Sequence, residues 1–361
     1  MRINKFDYME KYGFEELIYF YDKETGLKAI TCIHDTTLGP ALGGTRIWDY
    51  SSEEEAVLDA LRLAEGMTYK NAAAGLNFGG GKTVIIGKAN EIKSESFFRA
   101  YGRYIESLSL NGRYITTEDV NMATKDMEYI NMETNHVVGL SHKSGNPSPI
   151  TALGAFHGIR AGLQYKFNNE DISKYTFAIQ GVGQTGRTLL DYLVKSKAKK
   201  IYYTDINPKN IERVKENYKD AIFVKSEEIY SLDVDVFVPC ALGAILNDET
   251  IPTIKAKVIA GTANNVLKDK NRHGKMLMDR DILYAPDFVV NGGGVINIAP
   301  TGRDYNNEQV IHNVEKIYDR LLDIFKIAKE KNIPTQDAAI MFAEERINKI
   351  SNIHKNYIGK K

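Results

Sequence analysis

Two lysines and an aspartate in the first third of the chain have the types and spacing to handle an amino group. Lys70 stands beside Asn71, Lys82 follows Gly79-Gly80-Gly81 and leads into an apolar run, and Asp119 follows Glu118. Partial burial of Lys82 beside a second cation such as Lys70 would lower its pKa, and a lysine brought toward neutrality acts as a general base. An amino-acid substrate would bring a carboxylate needing a cation, which suits Lys70. It would also bring an amino proton to be taken and returned, which suits Lys82 and Asp119. Gly43-Gly44-Thr45-Arg46 adds to this polar, glycine-rich cluster. By composition alone, solvated loops are the favoured account of the same residues.

A second constellation lies in the middle of the chain. Gly181-Val182-Gly183-Gln184-Thr185-Gly186 follows the apolar run TFAIQ and precedes a stretch with Leu189, Leu190 and Leu193 on one side. That strand–turn–helix context gives GxGxxG its meaning: the first glycine turns the chain, the second admits a pyrophosphate, and the third lets helix approach sheet. The helix N-terminus offers unpaired N–H groups to the phosphates. Asp205 stands 19 residues past Gly186 at the end of the next apolar run. A carboxylate there accepts from ribose hydroxyls and repels a 2′-phosphate, so the pattern predicts NAD rather than NADP.

The elements that must position these groups read as α/β. Glu16–Asp35 predicts a hairpin around DKETG, and Ser52 with Glu55 predicts a capping box before a helix with Val57, Leu61, Ala64 and Met67 on one face. The helix runs into a Gly/Ala-rich loop, followed by a strand at 82–87, a helix over Phe97–Leu108 and a strand at 114–120. KSGNPSP (143–149) has linker composition, and Ser148 with Pro149 predicts an N-cap and first helical residue of a helix through Phe167. Beyond it TFAIQGV, KKIYYTD, AIFV, VDVFVPC and KVIAGTA alternate with helical or turn segments, the pattern of a doubly wound parallel sheet. The reading is therefore a mixed α/β substrate domain over 1–146 and a Rossmann-type NAD domain over 147–331. A helical tail, including 332–361, is expected to pack back on the first domain.

The bulk numbers narrow the function. Lys plus Arg and Asp plus Glu both number 47, so no net field draws the chain to nucleic acid or an anionic membrane. Cys32 and Cys240 are the only cysteines, which excludes a disulfide framework, and the seven histidines show no HExxH or i,i+4 pair for a metal. The opening residues carry no signal-peptide core, and no apolar run reaches spanning length. The expectation is a cytoplasmic protein with a small-molecule partner and no metal.

The stretches PALGGTRIW (40–48), LRLAEGMTYKNAAAGLNFGGGKTVIIG (61–87), SGNPSPITALG (144–154), PCALGAILNDETI (239–251), VIAGTANN (258–265) and YAPDFVVNGGGVIN (284–297) resemble leucine dehydrogenases and the wider Glu/Leu/Phe/Val dehydrogenase family. The resemblance runs in the same order over nearly the whole chain. It implies a reversible, NAD-dependent oxidative deamination of a branched-chain L-amino acid to its 2-oxo acid and ammonia. An alternative is a phenylalanine or other hydrophobic amino-acid dehydrogenase, and a further one is a non-catalytic module that binds NAD and amino acids. By resemblance Lys82 is the base that activates water, Lys70 holds the substrate carboxylate and Asp119 exchanges protons with the amino nitrogen. Thr151 and Asn291 hold the nicotinamide, and Asn264 lies at the carboxylate and ribose. Gly43 and Gly44 border the substrate, and Leu42, Thr117, Val295 and Ile298 line its side-chain pocket. A homo-oligomer, tetramer or octamer, is implied. The chain departs from the family pattern at Thr117, where Ala is common, at Asn121-Met122, where Gly-Thr is common, and at Ala299-Pro300-Thr301.

Overall fold

A computed structural model of the chain describes residues 4–108, 112–140, 144–299 and 305–353. These form two compact units, one drawn from Met1–Asn146, Ile298–Tyr305 and Ala343–Lys361, the other from Pro147–Asn297 and Asn306–Phe342.

The first unit is built on a five-stranded sheet of β1 (Glu16–Tyr21), β2 (Lys28–Asp35), β3 (Ala41–Trp48), β4 (Gly79–Ile86) and β5 (Tyr114–Glu118), in the order β1-β2-β4-β3-β5. The β1–β2 hairpin is antiparallel, as is β2–β4, while β3 runs parallel to both β4 and β5. Among the described residues, α1 (Lys5–Tyr12), α2 (Glu53–Ala73), α3 (Ala89–Ile92), α4 (Glu95–Leu108) and α5 (Thr124–Asn131) lie wholly in this unit. Ala56, Val57, Ala60, Leu61 and Ala64 of α2 cover one sheet face against Ile30, Cys32 and Val84. The aromatic side of α4, with Phe97, Phe98, Tyr101 and Ile105, covers the other against Ile33, Ile47 and Ile85. Each face thus removes a large apolar area from water.

Ser52 does cap α2, accepting from the Glu55 N–H at 3.2 Å, but the box is displaced by one residue. The Glu55 carboxylate accepts from the N–H and hydroxyl of Ser51 rather than from the Ser52 N–H. Gly79-Gly80-Gly81, expected in a loop, lies inside β4, and β3 was not foreseen as a strand. The reason is close packing: a Cβ on Gly80 would fall 2.1 Å from Thr68 Oγ1 of α2, so only glycine lets that helix lie on the strand.

The second unit contains six parallel strands: β6 (Thr176–Gln180), β7 (Lys200–Thr204), β8 (Ile222–Phe223), β9 (Val236–Pro239), β10 (Val258–Ile259) and β11 (Leu283–Tyr284). Their order is β11-β10-β9-β6-β7-β8, the crossover order of a doubly wound sheet. Its helices are α6 (Ser148–Phe167), α7 (Gln184–Lys195), α8 (Pro208–Asn217), α9 (Lys270–Asp279), α10 (Asp287–Val290), α11 (Gly293–Ile298), α12 (Asn307–Glu315), α13 (Ile317–Lys331) and α14 (Thr335–Ile353). Two-residue β11 carries too little pattern to be read from sequence. The α6 N-cap is Pro147, not Ser148, because the Pro147 carbonyl already accepts the Thr151 N–H at 2.9 Å. Lys143, at the start of the expected linker, lies outside the described residues.

The start of α14 stays with the second unit, as do α12 and α13, which lie inside the span 147–331 expected of the NAD domain. Of the tail expected on the first unit over 332–361, only the residues from Ala343 onward join it. There Arg346 donates to the Leu76 carbonyl at 2.6 Å and to Asn77 Oδ1 at 2.7 Å, satisfying backbone just past the end of α2. Residues 354–361 lie outside the described part. Among the described residues no helix is long and apolar enough to cross a membrane.

Candidate active site

In the first unit the period of two along a strand decides which side chains meet. Leu42 lies opposite Gly80 of β4 and Ile115 of β5, Gly44 lies opposite Thr117, and Thr45 lies opposite Thr83 and Glu118. Leu42, Gly44 and Arg46 of β3 therefore share a face with Lys82 of β4 and with Thr117 and Asp119. β3 separates the strand bearing Lys82 from the strand leading to Asp119, and at the crossing point it carries only Gly44. The Lys82 Nζ spans the gap and meets Asp119 Oδ2 at 2.7 Å. A Cβ on Gly44 would stand 2.8 Å from Asp119 Cβ and 3.3 Å from the Lys82 Nζ. The missing side chain is what lets the pair form.

The other face of the same strands is held by buried hydroxyls. Thr31 and Thr83 are 2.8 Å apart, Thr83 donates to Tyr114 at 3.2 Å, and Tyr114 donates to the Gly43 carbonyl at 3.0 Å. Thr45 lies 2.6 Å from both Tyr101 and Thr116. This satisfied polar network spans four strands and fixes the register on which the Lys82–Asp119 bridge depends.

Lys82 is 4% exposed. Burial pushes its ammonium below the ordinary lysine value, with Asp119 opposing that shift and Arg46 reinforcing it. The sequence pointed to Lys70 as the neighbouring cation; in the structure Arg46 takes that part. Burial by itself would raise Asp119, but Lys82 and Arg46 outweigh it and hold the carboxyl below the usual aspartate range. Arg46 Nε reaches Asp119 Oδ2 at 3.0 Å while its Nη1 reaches Asp59 Oδ2 at 3.1 Å, and the Tyr50 hydroxyl donates to the same Asp59 oxygen at 2.6 Å. Sequence reasoning placed Arg46 in the polar cluster without giving it a role, and missed Asp59 and Tyr50 as members of the site. The available signal was alternation along β3, which puts Arg46 on the face of Gly44.

Lys70 occupies the last turn of α2. That turn is pinned by Asn71, fully buried, whose amide donates to the Leu42 carbonyl at 3.1 Å and the Gly79 carbonyl at 2.6 Å. Leu42 is fully buried and Thr117 nearly so. Asn121 explains one departure from the family pattern: its φ of 61° is a left-handed conformation that asparagine tolerates and glycine adopts freely. Its amide also donates to the Ile47 carbonyl at 3.0 Å, closing the turn beyond Asp119. Ala299 is buried, whereas Pro300 and Thr301 lie outside the described residues.

In the second unit the three fingerprint glycines have three separable surroundings. Gly181 has φ 93°, Gly183 has no atom within 4 Å of where a Cβ would sit, and a Cβ on Gly186 would lie 2.1 Å from the Gly181 carbonyl oxygen. Turn, open approach and close helix packing are all present. Gly183 caps α7, with Gln184 and Thr185 in the first turn. Asp205, just past β7, accepts from the Val182 N–H at 2.8 Å and from the Asn207 N–H at 2.8 Å. The Val182 amide is thereby engaged within the protein, and the carboxylate braces the glycine turn.

Asn264 and Asn291 come together: the Asn291 amide donates to Asn264 Oδ1 at 2.7 Å and to the Ala263 carbonyl at 3.3 Å. Asn291 Oδ1 is buried and has no hydrogen-bond partner among the described residues. Thr151, in the first turn of α6, donates to the Pro147 carbonyl at 3.0 Å, and a Cβ on Gly294 would fall 2.8 Å from its Oγ1. Val295, buried, belongs to the second unit, while Ile298, half-buried at the end of the same helix, is grouped with the first.

Comparison with known proteins bears on this geometry. Residues 15–136 match the family described as Glu/Leu/Phe/Val dehydrogenase, dimerisation domain, and residues 200–354 match the family described as Glutamate/Leucine/Phenylalanine/Valine dehydrogenase. The leucine dehydrogenase of Thermoactinomyces intermedius is 52% identical over 98% of this chain and 96% of its own length. That of Geobacillus stearothermophilus is 53% identical over 95% and 93% respectively. The crystal structure of L-tryptophan dehydrogenase from Nostoc punctiforme superposes with a TM-score of 0.85 at 44% identity, covering 96% of this chain and 99% of that one.

Proposed function

Since the chain belongs to the Glu/Leu/Phe/Val dehydrogenase family, we propose that it catalyses the reversible oxidative deamination of branched-chain L-amino acids, leucine foremost, with NAD as oxidant. The products are the 2-oxo acid, ammonia and NADH. The observation that carries the reading is the buried Lys82 bridged to Asp119, a lysine that burial shifts below its ordinary value and so toward a proton-accepting role. The relatives matched at 52–53% identity are leucine dehydrogenases, which supports a branched aliphatic substrate.

The second unit's residues fit NAD. The open side of Gly183 at the α7 N-terminus suits a pyrophosphate, the Asp205 carboxylate suits a ribose diol, and the unbonded Asn291 Oδ1 suits an amide donor such as a carboxamide. Thr151 and Asn264 support the Asn291 region. NAD, when bound, accepts the hydride that leaves the amino-acid Cα. The work assigned to this chain is then proton handling and orientation. Lys70 holds the substrate carboxylate. Asp119, through the oxygen not used by Lys82, takes a proton from the amino group and later returns one to departing ammonia. Lys82 removes a proton from the water that attacks the imine carbon. Leu42, Thr117, Val295 and Ile298 contact the side chain, and Gly43 and Gly44 keep the β3 backbone close to it. The match to a dimerisation domain supports a homo-oligomer.

The test is a substrate panel: NADH formation, followed by its near-ultraviolet absorbance, with leucine, valine, isoleucine and phenylalanine, each with NAD and NADP. The expected result is the highest kcat/KM for leucine with NAD. Silence across the panel overturns the activity, and a preference for phenylalanine overturns the substrate class. One methylene changes discrimination by only about 1–3 kcal/mol, so valine and isoleucine should also turn over.

A further inference from the structure

Resting on this reading of the site, we propose that Arg46 and Asp59 form a positioning arm for deamination: Arg46 turns the Asp119 carboxylate so that Oδ2 is shared with Lys82 and Oδ1 faces the substrate nitrogen, and Asp59 with Tyr50 holds Arg46. The geometry is a chain of alternating charge. Lys82 Nζ and Arg46 Nε both bond Asp119 Oδ2, at 2.7 and 3.0 Å, while Oδ1 has no protein partner among the described residues. Two donors on one oxygen, Lys82 on β4 and Arg46 on β3, fix the rotation of the carboxylate. A single donor would let it swing. The planar guanidinium spans two carboxylates because Nε and Nη1 point in set directions, which a lysine cannot reproduce. Tyr50 completes the far end at Asp59 Oδ2.

The arm also sets the charge around the base. Lys82 is faced by Asp119 beyond β5, by Arg46 on β3 and, farther off, by Asp59 on α2. Arg46 and Asp59 line a hollow of about 410 Å³ with Trp48, Tyr50 and the charged α2 residues Glu55 and Arg62. Arg46 disfavours the Lys82 ammonium, whereas Asp59 favours it. Removing the two halves of one ion pair should therefore act on the base in opposite directions.

The experiment is the pH profile of kcat/KM for leucine in the wild type and in Arg46→Gln, Asp59→Asn and Arg46→Lys. Activity rises with pH as Lys82 loses its proton. Arg46→Gln should move that limb to higher pH and Asp59→Asn to lower pH. Arg46→Lys should leave the limb in place yet lower kcat by about 10-fold or more, because the charge remains and the fork is lost. If Arg46→Gln does not fold, the downward shift in Asp59→Asn and the kcat loss in Arg46→Lys still decide the matter. Limbs that stay put, or that move the same way in both charge-removing variants, overturn the arm. An inactive wild type would instead overturn the reading on which it rests.

Discussion

The charges of the first unit's site, on Lys82, Asp119, Arg46 and Asp59, are paired with one another, whereas the second unit's cofactor region offers neutral groups that are left partly unmatched. Around Lys82 each charge has a charged partner before any ligand arrives: Lys82 with Asp119, Asp119 with Arg46, Arg46 with Asp59. Around Gly183 and Asn291 the backbone is open on one side and a buried carbonyl oxygen is unbonded. A buried charge without a partner costs several kcal/mol, so proton-handling groups must be assembled by the protein itself. An amide oxygen costs less to leave unmatched, about 1–3 kcal/mol, and binding of a donor recovers that energy. Proton transfer is thus preorganised by the fold, and cofactor recognition is completed by the ligand.

If this contrast holds, the largest effect falls on Lys82. Lys82→Ala should lower kcat by about 10³-fold, within the range of a lost general base, while leaving NAD affinity intact. The check pairs steady-state rates with the rise in Tm on adding NAD, which should persist in the variant. Loss of that rise would tie the two regions together and break the contrast. Gly44→Ala should come next: its Cβ intrudes on Asp119 and on the Lys82 Nζ, and a displacement of this kind costs about 10²-fold in kcat. Far-ultraviolet circular dichroism would show whether the fold is kept. An alanine tolerated at full rate would mean the bridge does not need the glycine gap.

Asn291→Ala tests the other side of the contrast. It removes the oxygen assigned to a carboxamide donor, and the expected result is a rise of about 10-fold in KM for NAD. KM for leucine should move less. Equal changes in both would mean that Asn291 serves the second unit's structure and not cofactor recognition in particular.

How much of this was legible in the sequence follows the same division. The fingerprint turn could be read because its glycines do different jobs at fixed spacing after an apolar strand, and the structure places Gly181, Gly183 and Gly186 in those three roles. The strand character of Gly43-Gly44 and Gly79-Gly80-Gly81 could not. Glycine runs read as loops, and what makes them strand is the approach of Thr68, Asn71 and neighbouring backbone from elsewhere in the chain. With β3 unrecognised, its alternation was hidden, and Arg46 could not be set beside Asp119. Asp59 was hidden for a related reason: it lies on the polar margin of α2, where an acidic residue ordinarily faces water. The point at which the tail passes to the first unit, Ala343 and not 332, could not be read, because helical period reports an apolar face but not which unit receives it.

The smallest expected effect concerns acid stability. Asp119 is held below the ordinary aspartate pKa in the folded chain, opposed by burial but favoured by Lys82 and Arg46. The unfolded chain therefore takes up the Asp119 proton first as pH falls. The stabilisation is complete above the unfolded aspartate value and disappears as pH drops through the lower folded one. Urea midpoints measured from neutral pH into this acid window should fall for the wild type. Asp119→Asn removes the titration, so it should be less stable than wild type at neutral pH, with Lys82 and Arg46 deprived of their shared carboxylate. The gap should close as acid protonates the wild-type residue. A constant gap across the window would mean that Asp119 contributes through packing alone, and the first unit's site would then owe less to its paired charges than the comparison with the second unit requires.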